Sequence, residues 1–452
     1  MNMTHEAICE LFDGAADFVI RQLRCGIHTL YCYSIDGLVS GSDISAYVIK
    51  PITECLEGET MHSLYEKALT GTIYNAVAKP CPDLQDAALN LVHGFCVILF
   101  PGVGALAFEV KTSEKRGIST PDLENTAKGA KDAFVETLRT NTSLLRRHLR
   151  TPDLRLNELS VGNVSQTSVS VVWIEGVTEP SYVTRMVRRI ASLKADAFLT
   201  PAAIEEAITG ARFTVFPLLQ YTQRTDRFCK GLMEGRVGLF VDGIPLGYLA
   251  PVDIGYLMDS AEDYSRDFIS ASCVRVLRYM ALLLDLLLPA VYIAMTAFHF
   301  DLLPQSFAQV ILQGRERVPF SSVWETLTLL VAFELLQESG VHLPKSIGQS
   351  VSIIGGIVVG TVGVEAGLIS SIALIAVSIS GVCGFVLPNR DLADGIRVWR
   401  FFLGILASIF GLRGIGVGIL FLIFHLVKLK SLDQPYVKLF EPHLLRSRLG
   451  RK

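Results

Sequence analysis

The chain has 452 residues and a formal net charge of -3; half of its residues are hydrophobic and 19% are charged. A typical soluble protein contains about 25% charged residues, so this composition indicates a chain associated with a membrane. The slightly negative charge argues against the basic surface with which proteins bind nucleic acid, and we expect no nucleic-acid partner.

Nine cysteines are scattered along the chain without a C-x-x-C pair, which predicts free thiols in a reducing compartment. The first ten residues contain no lysine or arginine, so no signal peptide is predicted there. We therefore expect the front of the chain to stay in the compartment in which it is made.

Hydropathy divides the chain into four predicted regions. An α/β soluble N-terminal region has two subdomains, 1–155 and 156–270, and an all-α polytopic membrane domain of four to six helical segments follows at 271–428. The last region, 429–452, is predicted to be a basic cytoplasmic tail close to membrane lipid. Residues 428–452 contain seven basic and two acidic side chains, a balance that suits a cytoplasmic face and anionic lipid.

In the first subdomain, residues 28–41 form a β-rich run, and a short helix over 42–50 is expected to end at Pro51. The apolar run 94–110 has Pro and Gly near its centre and predicts a hairpin. Residues 131–150 have leucines at helical spacing and predict an amphipathic connecting helix. A solvated face is favoured for its basic end over contact with lipid.

In the second subdomain, a strand over 168–177 precedes helices that open at Pro180 and Pro201, and a further strand covers 236–251. This order is typical of a compact α/β layer. Acid-glycine pairs end three of the predicted strands. They suit turns better than a ligand site, although a ligand at the strand ends stays an alternative. The pairs are Asp36-Gly37, Glu175-Gly176 and Asp242-Gly243.

The predicted membrane domain contains five apolar segments. The second is short and carries two glutamates, which suits a re-entrant or pore-facing helix. The last is long, and it is either one tilted helix or a helix broken at its Gly-rich centre. If both chain ends lie on one side of a membrane, the number of crossings is even, and five full spans do not fit. This favours either a hairpin in the last segment or a second segment that does not span. The segments are 279–298, 323–336, 351–368, 369–387 and 401–427.

Ionisable residues inside these segments are costly in lipid and tend to face protein or water. They are Asp285, Glu325, Glu334, Glu365 and Arg413. Nine positions separate Glu325 from Glu334, so a regular helix points them to opposite sides and they cannot both face one narrow pore. Either one of them lines water, or both are ion-paired or interfacial. Asp285, Glu365 and Arg413 are predicted to make polar contacts within the membrane.

Glycines in the third segment are spaced four, three and four residues apart and predict one helix face for close packing. They are Gly356, Gly360, Gly363 and Gly367. Such a face usually serves contact between helices, within or between subunits, rather than ligand binding.

Catalytic and metal-binding motifs are missing from the sequence, including the P-loop, G-x-S-x-G and H-E-x-x-H patterns. We therefore predict that the chain is not an enzyme and has no cofactor and no metal site.

Long blocks of the chain resemble the A subunit of GerA-type spore germinant receptors. The resemblance is close from about residue 131 to residue 436 and thinner before that, and the QRT of QYTQRTDR departs from the family's usual pattern. The blocks that carry it include KDAFVETLRTNTSLLRRHLRTPDLR, EGRVGLFVDGIP, RVPFSSVWETLTLLVAFELLQESGVHLPKSIGQSVSIIGGIVVG, GVEAGLIS, FVLPN and IFGLRGIGVG.

The resemblance implies a multi-pass protein of the inner endospore membrane with its soluble region on the core side. It implies B and C subunits as partners, self-association into a homo-oligomer, contact with membrane lipid, and a small nutrient germinant that binds mainly through the B subunit. The expected function is a nutrient-gated cation channel that triggers germination. Glu325, Glu334 and the apolar Val331 between them are then the candidate pore or gating residues.

Two other functions remain compatible with these blocks. A paralogue associated with the SpoVA channel would share the architecture and amplify germination, and a non-conducting scaffold subunit would only dock partners. A transporter would need inverted repeats, and the five segments show none that is convincing.

Overall fold

The computed structural model describes residues 3–54, 60–73, 75, 77–111, 124, 129–193, 200–210, 214–342, 356 and 358–437. These residues form two compact units. Unit 1 comprises Met1–Arg212, Leu219–Pro251 and Ser431–Asp433, and unit 2 comprises Phe213–Leu218, Val252–Lys430 and Gln434–Lys452. Unit 1 contains both five-stranded β-sheets, and unit 2 contains the apolar helices.

The first sheet of unit 1 is antiparallel, with the strand order β1-β2-β4-β5-β3. Helices α1 and α5 pack on it, and α2–α4 with two π-helical turns lie between β2 and β3. The strands are β1 (Phe18–Cys25), β2 (His28–Ile35), β3 (Ala78–Cys81), β4 (Phe95–Phe100) and β5 (Gly104–Glu109), and the helices are α1 (His5–Leu11), α2 (Gly41–Asp43), α3 (Lys50–Glu54), α4 (Met61–Lys67) and α5 (Leu84–Val92).

Two predictions for this sheet are confirmed, and one is wrong. The β-rich run contains β2, and the predicted hairpin is β4 and β5. The helix does not end at Pro51 but continues to Glu54. Its backbone widens to π geometry over Ile44–Ile49, and the Lys50 N–H reaches back to the Ser45 carbonyl. This wider turn lets the helix pass the proline, which has no N–H to donate.

The second sheet is also antiparallel and has the order β6-β7-β9-β10-β8. Helices α7 and α8 begin at Pro180 and Pro201, as predicted, whereas β6, β8 and α9 were not predicted. The elements are α6 (Leu138–His148), β6 (Leu154–Val161), β7 (Thr167–Ile174), α7 (Pro180–Ala191), α8 (Pro201–Thr209), β8 (Gln220–Thr222), α9 (Thr225–Met233), β9 (Val237–Val241) and β10 (Gly247–Ala250).

The three acid-glycine pairs form turns. Gly37, Gly176 and Gly243 have φ angles of 84°, 77° and 85°, which favour glycine. The prediction of a solvated basic end for the connecting helix is wrong at Arg146. Its guanidinium is fully buried and donates two 2.8 Å hydrogen bonds to the carboxylate of Asp17, because α6 packs inside unit 1.

Unit 2 consists of helices with short connections. Among the described residues, one helix, α11, is long and apolar enough to cross a membrane. Two short strands, β11 (Lys430–Ser431) and β12 (Gln434–Pro435), follow the last helix. The helices are α10 (Ile254–Leu257), α11 (Phe268–Ala297), α12 (Gln305–Arg315), α13 (Ser322–His342), α14 (Gly363–Glu365), α15 (Ser371–Gly384), α16 (Arg390–Phe410) and α17 (Leu412–Lys428).

The last apolar segment is broken, not continuous. Gly411 has a φ of 60° and ends α16, and α17 begins at the next residue. The two helices then pack against each other. An ideal Cβ built on Gly414 would lie 2.2 Å from the Leu406 carbonyl oxygen, and one on Gly418 would lie 2.3 Å from the Leu403 side chain. This geometry corresponds to the broken-helix alternative and gives a helical hairpin.

The prediction that four glycines share one helix face is wrong at Gly367. Helix α14 ends at Glu365, and Gly367 has a φ of 69° and approaches the backbone of Arg317. Gly363 is buried and Gly356 is exposed, and an ideal Cβ on Gly360 would lie 3.8 Å from the Leu374 side chain. Most of the predicted third segment before residue 358, and the basic tail from 438 onwards, lie outside the described residues.

Candidate functional site: buried charges in the helical unit

Asp285 lies near the middle of α11 and is completely buried. Its Oδ1 accepts a 2.6 Å hydrogen bond from Arg400 Nη1 on α16 and a 3.1 Å hydrogen bond from the Ser380 hydroxyl on α15. Arg400 is 1% exposed, so this ion pair is shielded from solvent. A carboxylate and a guanidinium in such surroundings stabilise each other only if both remain in place.

The same guanidinium joins a second carboxylate. Arg400 Nη2 donates to Glu334 Oε1 on α13, and Arg397 Nη1 lies 3.6 Å from the other oxygen of Glu334. Arg397 also lies 3.0 Å from Asp394 of its own helix. The contacts of Arg400 and Arg397 connect α11, α13, α15 and α16. We call Asp285, Glu334, Ser380, Arg397 and Arg400 the charge network.

The charge network is incompletely satisfied. Among the described residues, Asp285 Oδ2 and Arg400 Nε are buried without a hydrogen-bond partner. A Cβ on Gly384 would lie 3.0 Å from Asp285 Oδ2, so a glycine at this position leaves the second oxygen its space. Unpaired buried polar atoms are costly, so each of them calls for an explanation beyond packing.

Glu325 belongs to a separate cluster. It is 3% exposed and accepts a hydrogen bond from the backbone N–H of Ser370, at the start of α15. Arg315 Nε on α12 lies 3.9 Å from its other oxygen. The hydroxyl of Tyr292 lies 3.5 Å from that of Ser370. Glu325 thus connects α13 to α12 and to the N-terminus of α15.

Glu325 and Glu334 both have partners within the chain, which is the ion-paired alternative that the sequence left open. The exposed face of α13 is a different stripe, spaced four, three, four and three residues apart. Val331, one of the predicted pore candidates, lies in the middle of it and is 48% exposed. We call this set the α13 stripe, and it consists of Trp324, Thr328, Val331, Leu335 and Glu338. A role in conduction stays a prediction for Glu325, Glu334 and Val331 alike.

Glu365 and Arg413 lie apart from both clusters. Glu365 is exposed at the end of α14, and Arg413 is exposed in the first turn of α17. Of the three residues predicted to make polar contacts within the membrane, Asp285 makes them inside this chain. Within the described ranges, no three His, Cys, Asp or Glu side chains converge in a way that could hold a metal ion.

Another buried ion pair joins Asp263, which precedes α11, to Arg278 within that helix. Arg278 donates bidentately to Asp263, and Asp263 also accepts a 3.0 Å hydrogen bond from the Ser260 N–H. Burial raises the pKa of Asp263, but the hydrogen bonds and the charge of Arg278 outweigh it and leave the pKa below its usual value. The carboxylate is therefore ionised at neutral pH and holds the start of α11.

Sequence reasoning missed the basic half of the charge network. Arg397 and Arg400 are spaced three residues apart and precede the apolar run that begins at Phe401. Both lie outside the predicted segment 401–427, whereas α16 begins at Arg390 and carries both into the bundle. The available signal was that three-residue spacing, which places both guanidiniums on one face of a helix.

A family model described as Bacillus/Clostridium GerA spore germination protein matches residues 6–450. The chain belongs to the GerA family. This confirms the resemblance that the sequence blocks carry.

Named relatives cover most of the chain. "Uncharacterized membrane protein YfkQ" of Bacillus subtilis is 35% identical over 97% of this chain and 85% of its own length. "Spore germination protein KA" of Bacillus subtilis is 32% identical over 95% and 79%, and "Spore germination protein A1" of the same species is 34% identical over 79% and 75%.

One solved structure is also similar. The crystal structure of the N-terminal domain of the A subunit of the Bacillus megaterium spore germinant receptor GerK3 is 25% identical. It covers 54% of this chain and 92% of that domain, with a TM-score of 0.43.

Proposed function

We propose that this GerA-family chain is the A subunit of a spore germinant receptor. In this proposal it works with B and C subunits in the inner membrane of the endospore and forms a homo-oligomeric, nutrient-gated cation channel. The observation that carries the proposal is the family match over residues 6–450, together with relatives named as spore germination proteins. The small nutrient would bind mainly through the B subunit.

The apolar surface of unit 2 supports a place in the membrane. Helix α11 has 30 residues, which is about 45 Å of helix and more than the hydrocarbon core of a bilayer requires. Exposed apolar side chains continue on α16 and α17. Such surface suits lipid contact better than water. In further support, the relative YfkQ is named as a membrane protein.

The orientation of α13 decides which residues we propose for the conduction path. Because Glu325 and Glu334 are paired with groups of the same chain, we assign them to holding α13 in position. In the α13 stripe, Val331 and Leu335 are apolar and exposed. The spacing of the stripe, with one residue at each turn, suits a helix that lines a pore between subunits. Hydrophobic constrictions of this kind gate channels by excluding water.

A non-conducting scaffold is the second candidate, because the internal pairing of Glu325 and Glu334 is also what a purely structural helix needs. A substitution in the exposed α13 stripe that leaves the interior intact distinguishes the two functions. It should alter ion flow if the chain is a channel and leave it unchanged if the chain is a scaffold.

Spores that carry Val331→Ala test the proposal. We would measure early potassium release after a mixed nutrient stimulus and the amount of protein by immunoblot. The control is Leu312→Ala on α12, which removes a comparably exposed apolar side chain outside the α13 stripe. Altered potassium release at normal abundance in Val331→Ala alone supports the channel. Unchanged release in both variants contradicts it and favours the scaffold.

A further inference from the structure

A groove of about 310 Å³ lies between α16 and α17 in unit 2. Its volume is at the lower end of the range found for small-molecule sites. Aromatic rings form most of its walls, and a single cation closes one end. The lining residues are Trp399, Phe402, Phe421, Phe424, His425 and Lys428.

The groove follows from the spacing of side chains on both helices. Its four residues on α17 are spaced three, one and three apart, so they form one stripe. Trp399 and Phe402 form the matching stripe on α16, with ring centroids 5.3 Å apart. The helices are in tight contact at Gly414 and Gly418, where a Cβ would collide with α16. Beyond Gly418 the lining side chains are large, and the space between their rings is the groove.

The inner wall of the groove is held in place. The Trp399 ring lies 5.8 Å from the His425 ring and 6.4 Å from Phe216, which is 2% exposed. His425 Nε2 lies 3.2 Å from the hydroxyl of Thr214 and so has a hydrogen-bond partner. The outer wall is open, because Phe402, Phe421 and Phe424 are all exposed.

Polarity changes along the groove in one direction. From Phe421 to Lys428 the α17 stripe rises about 10 Å, and it passes from aromatic rings to an exposed ammonium group. Lys430 is exposed two residues further on, and the sequence beyond it is rich in Lys and Arg. Tryptophan rings and lysines that follow an apolar helix face are typical of the level of lipid headgroups.

We propose that this groove binds one anionic phospholipid. An acyl chain would lie against Phe421, Phe424 and Phe402, and the phosphate of the headgroup would pair with the ammonium group of Lys428. The site rests on the membrane placement in the proposed function, but not on channel activity. An anionic lipid matches the groove from end to end. Its apolar chain suits the aromatic rings, and its anionic headgroup suits the ammonium group that follows them.

The test uses the fluorescence of Trp399 in the full-length chain. The chain has three tryptophans, and Trp173→Phe with Trp324→Phe leaves Trp399 as the reporter. The protein is placed in nanodiscs that contain increasing fractions of brominated phosphatidylglycerol or brominated phosphatidylcholine. Bromine quenches a tryptophan that it contacts, so quenching at low fractions reports preferential binding.

We expect half-maximal quenching at about a fivefold lower fraction of the anionic lipid, which is the effect of about one lysine at an anionic surface. Lys428→Gln should abolish this preference, whereas Lys50→Gln, which removes an exposed lysine of unit 1, should leave it intact. Phe424→Ala should weaken quenching by both lipids, and Ile423→Ala, an exposed neighbour that does not line the groove, should not.

Equal quenching by the two lipids, or a preference that survives Lys428→Gln, would overturn the lipid site. An integrated protein that neither lipid quenches would also overturn it and would indicate that a protein segment fills the groove. Failure of the chain to integrate into nanodiscs at all contradicts the membrane placement instead. Should the tryptophan variant not fold, native mass spectrometry of the chain with all three tryptophans counts retained phosphatidylglycerol in Lys428→Gln and Lys50→Gln.

Discussion

Arg400 on α16 donates a 2.6 Å hydrogen bond to Asp285 on α11, and both side chains are withdrawn from solvent. The two residues are 115 positions apart in the sequence. Because the same guanidinium also binds Glu334, removal of one carboxylate leaves Arg400 with a partner. Removal of Arg400 leaves Asp285 without a cation in direct contact among the described residues. The two ends of this pair are therefore not equivalent.

Asp285 and Arg400 should show strong coupling in a double-mutant cycle. Arg400→Leu should lower the free energy of unfolding by about 3–5 kcal/mol, because it strands the buried carboxylate of Asp285. Asp285→Leu should cost less, and the double variant should recover part of the loss of Arg400→Leu. Thermal unfolding of the full chain in detergent measures all three. Additive effects of the two substitutions would contradict a direct pair, and Glu365→Gln, at an exposed carboxylate, is the control.

The close contact of α16 and α17 predicts opposite outcomes for two glycines of α17. Gly418→Ala places a Cβ 2.3 Å from Leu403 and should destabilise the hairpin by about 1–3 kcal/mol through overpacking. An ideal Cβ on Gly416 has no atom of the described residues within 4 Å. Gly416→Ala should therefore be neutral or slightly stabilising, because alanine has the higher helix propensity. A shift of the melting temperature in the first variant and not in the second is the expected result. Equal effects would mean that the helices do not pack at Gly418.

Local patterns predicted much of unit 1. The hairpin of β4 and β5 is an apolar run interrupted by a Pro-Gly turn. The turns at Gly37 and Gly243 each follow an acidic residue and need the positive φ angle that glycine adopts readily. Strand β6 was missed because Leu154–Val161 alternates weakly between apolar and polar residues. Strand β8 has only three residues, too few for a periodic signal.

The sequence predicted the acidic half of the candidate site but not the basic half. Asp285 and Glu334 stand out because they are charges within apolar runs, and their cost in an apolar interior demands a partner. That partner, Arg400, lies just outside an apolar run and far along the chain, and no local pattern encodes which helix it meets. The break at Gly411 is also a tertiary effect, because the hairpin is decided by the packing of Gly414 and Gly418 on α16.

Acid should weaken the pair of Asp263 and Arg278 at the start of α11. The pKa of Asp263 is lower in the folded chain than in the unfolded chain. Its contribution to stability is thus fully present above the unfolded pKa, about 3.9, and is lost as the pH falls through the folded pKa. Asp263→Asn should destabilise the chain by about 3 kcal/mol at pH 7. The difference from the unsubstituted chain should shrink below about pH 4. A difference that is constant from pH 7 to pH 3 would contradict this assignment.

Two buried thiols of unit 1 should resist alkylation until the chain unfolds. Burial, with Asp226 and Asp132 nearby, raises the pKa of Cys229 to about 12, and burial raises that of Cys81 to about 11 against a hydrogen bond from Asn90. Since the thiolate is the reactive form, less than about one thiol in a hundred is ionised at pH 8 at either position. Their raised pKa values stabilise the fold below about pH 9, and this contribution is lost as the pH rises towards 11 and 12.

Mass spectrometry after a timed iodoacetamide pulse at pH 8 measures the labelling of each cysteine. Cys273, which is exposed in the chain, is the internal reference and should react within the pulse. Cys81 and Cys229 should react only after denaturant is added. Labelling of either buried thiol at the rate of Cys273 in the folded protein would show that unit 1 opens locally around α5 or α9.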